Sequence, residues 1–442
     1  MKNRCYFGDN TLKAMSNFAV GDEKMPHEII YSLALIKKAA ALTNCQLKCL
    51  SKDKCNVICL AADEIMAGKL NNQFPLLIWQ SGSGTQTNMN VNEVIAKRAA
   101  ELGGNKKIIV HPNDDVNMSQ SSNDTFIAAM HMATLFYIEE YLLPSILLFK
   151  NGLDKKKKEF SSVIKVGRTH LMDAVPISLG QEISAFGAQI EQVIISIQWA
   201  LLRLRELPLG GTAVGTGINA NVNFSSLVID NLNKMKNGKF KEAENKFAAI
   251  SSSNTILFTS SILKELAIVL MKLAKDFSYL ASGPRCGIGE IEFAFNEPGS
   301  SIMPGKVNPT QCELLRMIAS QVMGNDLVIS VAALQADLQL HACRPVMIFN
   351  LLQSLKLLSE GMNSFYQKCL ISLKPNMKTI KKHLDDSLMI VTALSHHIGY
   401  DKACMIVKMA IKKNLSIKEA ARELKILSKE ELEQILDYRQ MI

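Results

Sequence analysis

Residues 182–207 read EISAFGAQIEQVIISIQWALLRLREL, and their apolar positions recur in steps of three and four without exception. The positions that form this seam are Ile183, Phe186, Ile190, Val193, Ile197, Ala200, Leu204 and Leu207. Such spacing places an apolar stripe along one side of a helix, in the manner of a heptad repeat. The stretch therefore predicts a long helix whose seam packs against other helices.

Three further stretches predict helices of similar length, over residues 252–282, 309–334 and 346–373. All of them exceed the average helix of a globular protein. Aromatic residues make up only 6% of the chain, which favours helix over sheet, because strands are enriched in aromatic and β-branched residues. Long helices with apolar seams must pack on one another, so we predict an all-α protein with a central helix bundle that continues across subunits.

The pattern changes at two places along the 442 residues. Before about residue 121 the predicted helices are shorter and the loops polar, and after residue 375 the segments are compact and amphipathic. We therefore predict an N-terminal mostly helical domain over 1–120, a central long-helix domain over 121–375 and a small C-terminal helical domain over 376–442.

Charge and cysteine content exclude several classes of protein. The net charge is +9, but the strongest basic run, Lys155 to Lys158, has no interleaved aromatic residue and is interpreted as solvated surface rather than a nucleic-acid site. The ten cysteines lack zinc-site spacing, and no apolar signal core opens the chain. The most apolar stretch, near 255–271, contains Lys264 and Glu265. We expect a cytoplasmic protein with no metal, nucleic-acid or membrane partner.

Four polar segments precede predicted helices, at residues 81–85, 119–124, 178–181 and 305–311, and the third of them follows Arg168, Thr169 and His170. In the last of them Asn308 suits the N-cap, Pro309 the first helical position and Gln311 the position that answers the cap. Converging helix N-termini offer free N–H groups and partial positive charge. Together with a loop histidine, a loop lysine and a double serine, they predict a site for a small anionic ligand, and no nucleotide fingerprint is present.

At these segments the sequence resembles a known family. The stretch GSSIMPGKVNP from Gly299 is similar to the signature of the fumarase and aspartase superfamily. The class II fumarate hydratases within it are matched by SGSGTQTNMNVNEV from Ser81, HPNDDVNMSQSSND from His111, GRTHLMDAVP from Gly167, LPLGGTAVGTG from Leu207 and LASGPRCGIGEI from Leu280. The resemblance extends over nearly the whole chain.

The resemblance implies a three-domain all-α fold and a homotetramer with a twenty-helix core, in which three subunits build each active site. It also implies reversible hydration of fumarate to (S)-malate in the tricarboxylic acid cycle, without metal or organic cofactor. Negative charge then develops on a substrate carboxylate when the neighbouring carbon loses its proton.

Roles carry over from the family position by position. Ser300 resembles the residue that takes the carbon-bound proton, His170 the one that handles water or hydroxyl, and Glu313 a glutamate important to activity. The positions that match substrate-binding residues are Ser83, Thr85, Ser121, Ser122, Asn123, Thr169, Ser301, Lys306, Val307 and Asn308. A second, noncatalytic dicarboxylate site is matched by His111, Pro112, Asn113 and Asp114.

The chain departs from the family at several positions, which leaves alternatives open. A basic ligand of the second site is replaced by Ile108, and further departures are Ser253, Asn254, Phe295, Gln339 and His341. One alternative is aspartate ammonia-lyase, whose family has Gln where this chain has His170. The other is an inactive structural relative that keeps the bundle without catalysis.

Overall fold

The computed structural model describes residues 4–104, 107–294 and 296–442. Within them the chain is mainly helical, and the all-α prediction is confirmed. The helices are α1 (Asp9–Asn17), α2 (His27–Gln46), α3 (Lys52–Met66), α4 (Thr85–Leu102), α5 (Ser122–Tyr137), α6 (Leu143–Glu159), α7 (Leu179–Leu204), α8 (Phe224–Met235), α9 (Lys246–Ser251), α10 (Asn254–Leu280), α11 (Thr310–Ala333), α12 (Arg344–Phe365), α13 (Met377–Asp386), α14 (Thr392–Ile398), α15 (Tyr400–Lys413), α16 (Ile417–Glu423) and α17 (Lys429–Ile435).

The strands form small two-stranded sheets. The longest pair is an antiparallel hairpin of β1 (Ile164–Thr169) and β2 (Met172–Ser178). The short pairs are β3 (Glu206–Leu207) with β4 (Lys241–Glu242), β5 (Ile291–Glu292) with β8 (Lys374–Pro375), and β6 (Ala336–Asp337) with β7 (Leu340–His341). Single turns of π-helix occur at Pro112–Val116, Ile138–Leu142 and Tyr366–Leu370.

The apolar seam of residues 182–207 is buried, as predicted. Each of its eight side chains is at most 2% exposed. Helix α7 begins at Leu179, because the Ser178 hydroxyl accepts from the Gln181 N–H at 3.0 Å and the Gln181 side chain accepts from the Ser178 N–H at 2.9 Å. The helix ends at Leu204, three residues before the predicted end, and Leu207 lies instead in β3.

The chain divides into two compact units. Unit 1 is drawn from Met1–Pro144, Val193–Ala267 and Ser320–Ser359, and unit 2 from Ser145–Gln192, Ile268–Ala319 and Glu360–Ile442. In unit 1, α2 packs against α3, α5 and α8. The predicted three-domain boundaries stay a prediction.

Unit 2 contains the hairpin and the C-terminal helices. Helix α13 packs against β1, and the helices from α14 onward surround a small core that includes Leu394, Ile406 and Leu432. Both α16 and α17 begin with a capping box, at Ser416 and Ser428.

One part of the basic run is not solvated surface. Lys156 is 7% exposed, and its ammonium donates to the Leu373 carbonyl at 2.9 Å and pairs with Glu159 at 3.0 Å. Residues 155–158 form the last turn of α6, where one lysine of four turns inward along the helical period. The prediction of a wholly solvated run is therefore wrong at Lys156.

Candidate active site

In unit 1 the glycine-rich turn before α4 presents a series of hydroxyl groups. Ser81 Oγ lies 3.2 Å from Ser83 Oγ, which lies 2.7 Å from Thr85 Oγ1, and this oxygen lies 2.8 Å from Ser122 Oγ. The turn passes close to other backbone, since a Cβ at Gly82 would lie 1.5 Å from the Ala342 carbonyl oxygen. The predicted residues Ser83, Thr85 and Ser122 therefore meet directly.

The N-terminus of α5 carries the other predicted binding residues of unit 1. The Ser121 hydroxyl accepts from the Asn123 N–H at 3.2 Å, and the Asp124 carboxylate accepts from the Ser121 N–H at 2.9 Å. The Asn123 amide donates to the Ala213 carbonyl at 2.8 Å. The capped helix end concentrates partial positive charge where the hydroxyls converge, which suits an anion.

Two buried charged residues that sequence reasoning did not single out fix this helix end. Asp124 also accepts from the Gly210 and Thr212 N–H groups at 3.1 and 3.0 Å. Burial raises the pKa of its carboxyl to about 6, against the lowering effect of these hydrogen bonds. Arg344 is fully buried and donates to the Asn123 carbonyl at 2.7 Å. A capping box with Ser121 marks Asp124 locally, but its partners Gly210 and Thr212 lie 86 and 88 residues away. No local pattern marks the contact of Arg344, because Asn123 lies 221 residues away along the chain.

In unit 2 the predicted residues Thr169 and His170 lie at the tip of the β1–β2 hairpin. Thr169 is paired with Met172, so His170 and Leu171 form the two-residue connection, with φ of 55° and 63°. Such a connection normally takes Asn or Gly, because both residues have positive φ. A histidine in this conformation is strained, and strain of this kind clusters at functional sites. The hairpin presents the His170 ring to solvent in the single chain.

A buried carboxylate holds the base of that hairpin. Glu290 is fully buried; its two oxygens accept from the Arg168 guanidinium at 2.7 and 3.1 Å, Lys165 approaches at 3.1 Å and His383 at 3.0 Å. Burial alone would raise the pKa of Glu290, but these partners hold it below its ordinary value. This cluster therefore fixes β1 next to the strained turn.

The loop before α11 places Ser300 in a particular hydrogen-bonding environment. The Ser300 hydroxyl oxygen accepts from the N–H groups of Ile302 and Met303 at 3.3 and 3.1 Å. The Gly299 N–H donates to the Lys306 carbonyl at 3.1 Å, and a Cβ at Gly299 would lie 2.3 Å from that oxygen. The loop thus returns on itself, so that Ser300, Ser301, Lys306, Val307 and Asn308 all belong to one closed loop.

The predicted cap at Asn308 is wrong in its detail. Its side-chain amide donates to the Gly299 carbonyl at 2.6 Å, and α11 begins at Thr310. Gln311 does not answer the cap, since its side-chain oxygen accepts from Ser364 at 2.8 Å. The Asn308 side chain closes the loop and does not cap the helix, because its amide is the hydrogen-bond partner of the Gly299 carbonyl. Glu313 is exposed in the first turn of α11, and its role stays a prediction.

The residues predicted for the second dicarboxylate site form a compact turn in unit 1. His111 precedes the π-turn at Pro112–Val116, and its Nδ1 accepts from the Asp114 N–H at 3.1 Å. The side chain of Asp114 is 82% exposed. Asn113 lies within the same turn, and Ile108 is half-buried against Gly103. Ligand binding at this turn stays a prediction.

The departures from the family have different surroundings. Ser253 is buried directly before α10, which begins at Asn254, and its hydroxyl oxygen has no hydrogen-bond partner among the described residues. His341 is fully buried and contacts the Ala332 carbonyl at 2.9 Å, while Gln339 lies in the turn between β6 and β7. Phe295 lies outside the described residues.

Two models of known protein families match this chain. A family model described as "Lyase" matches residues 2–324, and one described as "Fumarase C C-terminus" matches residues 390–442. Such a match identifies a lyase of the fumarase type.

Named relatives make the assignment narrower. The class II fumarate hydratase of Halalkalibacterium halodurans is 50% identical over 438 residues, which cover 99% of this chain and 95% of the relative. That of Bacillus subtilis is 48% identical over 439 residues, with the same two coverages. The crystal structure of class II fumarase from Schistosoma mansoni has a TM-score of 0.96 at 43% identity, covering 100% of this chain and 96% of that one. The chain belongs to the class II fumarate hydratase family.

Proposed function

We propose that this protein catalyses the reversible hydration of fumarate to (S)-malate, as a cytoplasmic enzyme of the tricarboxylic acid cycle. The observation that carries this proposal is the environment of Ser300. Two backbone N–H groups point at its hydroxyl oxygen, so the deprotonated oxygen gains stronger, charge-assisted hydrogen bonds. A serine held in this way can accept a proton from carbon, which an ordinary serine does poorly.

His170 is the second group in this proposal. In the hydration direction its imidazole takes a proton from water as the oxygen attacks one olefinic carbon, and the other carbon receives a proton from Ser300. In the reverse direction, Ser300 removes the C3 proton of malate and His170 protonates the leaving hydroxyl. The strained hairpin supplies a fixed position for the ring, and the Glu290 cluster supports that position.

Substrate carboxylates are the ligands we propose for the remaining residues. The hydroxyl row of Ser83, Thr85 and Ser122 forms the proposed binding site for one carboxylate, and the Lys306 ammonium stabilises the charge that develops after carbon deprotonation. Thr169, Ser301, Val307 and Asn308 are proposed to complete the binding site, with Glu313 supporting activity. We further propose the noncatalytic dicarboxylate site at residues 111–114.

Assembly into a homotetramer is proposed from the exposed faces of the long helices. Three helical segments, Ser122–Glu159, Leu179–Leu204 and Thr310–Ala333, are long and apolar enough to cross a bilayer, yet at most half of each window is buried in the single chain. The exposed apolar side chains of α11 include Met317, Leu327 and Val331. Association of four copies through these faces would bury them and share active sites between subunits.

A direct assay separates the proposal from its alternatives. Mixing the purified protein with malate should produce the ultraviolet absorbance of fumarate, whereas aspartate should release no ammonia. Ammonia release from aspartate would instead favour the ammonia-lyase, in which the imidazole of His170 is not needed. No signal with either substrate at high enzyme concentration would favour an inactive structural relative.

The assignment of Ser300 makes the first prediction. Ser300→Ala should lower turnover by roughly 10²–10⁴-fold, the usual value of acid–base catalysis, and should abolish exchange of the malate C3 proton with deuterated water, followed by proton NMR. Ser261→Ala is a suitable control, since that exposed hydroxyl donates to the Phe258 carbonyl of its own helix. Full C3 exchange by Ser300→Ala would contradict the assignment.

A second variant distinguishes the two partners. His170→Asn should lose turnover to a similar extent while retaining some C3 exchange, because carbon deprotonation does not itself require the imidazole. The double variant should fall little further than either single one, since groups that serve one coupled sequence have non-additive effects.

A further inference from the structure

A lysine without a carboxylate partner lies beneath the predicted anion-binding end of α5. Lys37 of α2 is fully buried, and its ammonium donates to the side-chain oxygens of Asn117 at 2.8 Å and Gln120 at 3.0 Å. Among residues 4–104, 107–294 and 296–442 no carboxylate lies within ion-pair distance of it. Burying a charge in this way is costly unless another anion compensates it.

The side-chain amides that accept hydrogen bonds from Lys37 are held in place by further hydrogen bonds. The Asn117 oxygen also accepts from Asn88 and Asn92 at 3.1 and 3.2 Å, and the Asn117 amide donates to the Gln120 carbonyl at 3.2 Å. Gln120 directly precedes Ser121, the cap of α5. The lysine therefore contacts the segment that leads into the residues Ser121, Ser122 and Asn123.

The buried charges around this helix end do not balance. Lys37 and Arg344 are cations and Asp124 is the anion, and each of the three is fully buried. The two histidines that face Arg344, His131 and His341, have their pKa values lowered mainly by burial and are neutral at pH 7. The nearby Asp115 is neutralised by Lys54 at 2.8 Å. One positive charge is left over.

We propose that Lys37 is a positioning residue for dicarboxylate binding. The bound carboxylate neutralises the buried charge of Lys37 through the Asn117–Gln120 segment and the N-terminus of α5. The proposal deepens the proposed function, since it concerns the same anion site. Lys37 does not touch the substrate; it fixes the loop and adds to the positive potential at the helix end.

The energetics explain why a lysine occupies this position. Desolvation lowers the pKa of Lys37 to about 7, against the opposing effect of Asp124, so burial makes the ammonium costly to keep in the free protein. A neutral donor such as glutamine would satisfy the amide oxygens without that cost. The cost of keeping a lysine at this position is the reason to assign its charge to anion binding.

The test compares binding of succinate and butyrate, which carry two and one carboxylates and cannot be hydrated. By calorimetry, Lys37→Gln should bind succinate about tenfold more weakly and butyrate about threefold more weakly, because Coulomb energy scales with ligand charge. Lys37→Arg, which keeps the charge, should retain most of the affinity for succinate. The matched control is Lys156→Gln, another buried lysine, whose partners are the Leu373 carbonyl and Glu159.

Other outcomes overturn the proposal. Equal losses for the two ligands, or equal losses in Lys37→Gln and Lys37→Arg, would indicate a purely structural role. If thermal melting shows that the Lys37 variants do not fold, Gln120→Glu, which gives the ammonium a carboxylate partner at the 3.0 Å contact, should weaken succinate binding more than butyrate binding, and equal losses overturn the proposal. Because these are binding measurements, they remain decisive if the wild-type protein fails to hydrate fumarate, which would refute only the proposed function.

Discussion

At the scale of single residues, a serine hydroxyl and a histidine ring acquire their proposed roles from backbone geometry. The Ser300 oxygen accepts from two N–H groups within its own loop, and His170 occupies a position of positive φ at a hairpin tip. Within the part of the chain that the structure describes, neither arrangement involves an ionic partner at the functional atom. Loop closure at Gly299 and strand pairing at Thr169 are therefore as important to the site as the side chains themselves.

The buried His131 ring predicts that the protein becomes less stable as the pH falls. Burial, reinforced by Arg344, lowers the pKa of His131 to about 4, against the hydrogen bond to the Glu206 carbonyl at 2.9 Å. Since the unfolded chain then binds more protons between pH 4 and 6.5, the stabilisation is complete above pH 6.5 and is lost as the pH falls towards 4. Lowering the pH from 7 to 5 should therefore reduce the free energy of unfolding by about 2 kcal/mol through this residue.

Urea unfolding at the two pH values checks this prediction. His131→Gln keeps a donor for the Glu206 carbonyl but cannot be protonated, so its stability should fall less on acidification than that of the wild type. His397→Gln, at an exposed position, should keep the wild-type pH dependence. An unchanged pH dependence in His131→Gln would mean that other groups cause the acid sensitivity.

The sequence identifies some of these residues and not others, for physical reasons. Ser300, His170 and Lys306 lie in continuous motifs, so a local pattern can reveal them. Lys37 is 80 residues from Asn117, and Glu290 is 122 residues from Arg168, so only the folded chain shows these contacts. Their residue types alone predict exposed surface, since isolated charges are seldom buried.

At the scale of secondary structure, the helices follow from periodicity better than the loops do. The seam of α7 is readable because it repeats over 26 residues, whereas β1 and β2 have six and seven residues. The π-turns give no periodic signal at all, because each occupies five residues. The sequence therefore places the bundle correctly but overlooks the hairpin that carries His170.

The hairpin itself makes a prediction. Glu290→Gln keeps the shape of the side chain but leaves the guanidinium of Arg168 and the buried ammonium of Lys165 without their shared anion. Breaking a buried ion pair costs about 3–5 kcal/mol, so the thermal melting temperature should fall clearly. Because the proposed role of His170 is in the chemical step, kcat should fall more than KM rises.

A surface ion pair gives the matched control for that variant. Glu242→Gln removes the exposed partner of Lys246 at 3.1 Å, where the expected cost is at most about 1 kcal/mol. If Glu290→Gln behaved like Glu242→Gln in melting and turnover, the cluster would not position the hairpin.

At the scale of the whole molecule, five long helical stretches contribute residues to both compact units. These are Ser122–Glu159, α7, α10, α11 and α12. Their buried seams supply the core, and their remaining apolar faces are left to solvent in the single chain. A protein with such faces is expected to associate.

The proposed association of subunits predicts the effect of a charge placed on the exposed face of α11. Leu327 on α11 is 64% exposed, and Leu327→Glu should place a charge on the proposed subunit interface and lower the mass found by light scattering from a tetramer to smaller species. Hydration activity should fall with it, because the proposed active sites are shared. Leu60→Glu on α3, 53% exposed at a distance in sequence from the long helices, should stay tetrameric. A tetrameric Leu327→Glu would place the interface elsewhere.

The four hydroxyls from Ser81 to Ser122 have a consequence for how an anion is received. Every hydroxyl in that row can donate or accept, so the row has no fixed polarity in the free protein. A carboxylate that binds at one end of the row would accept a hydrogen bond from the hydroxyl there. Each neighbouring hydroxyl would then rotate to donate in the same direction, because aligned hydrogen bonds polarise one another. The row would then have two possible directions, and removing Thr85 Oγ1 would leave the Ser81–Ser83 pair and a separate Ser122 hydroxyl that no longer turn together.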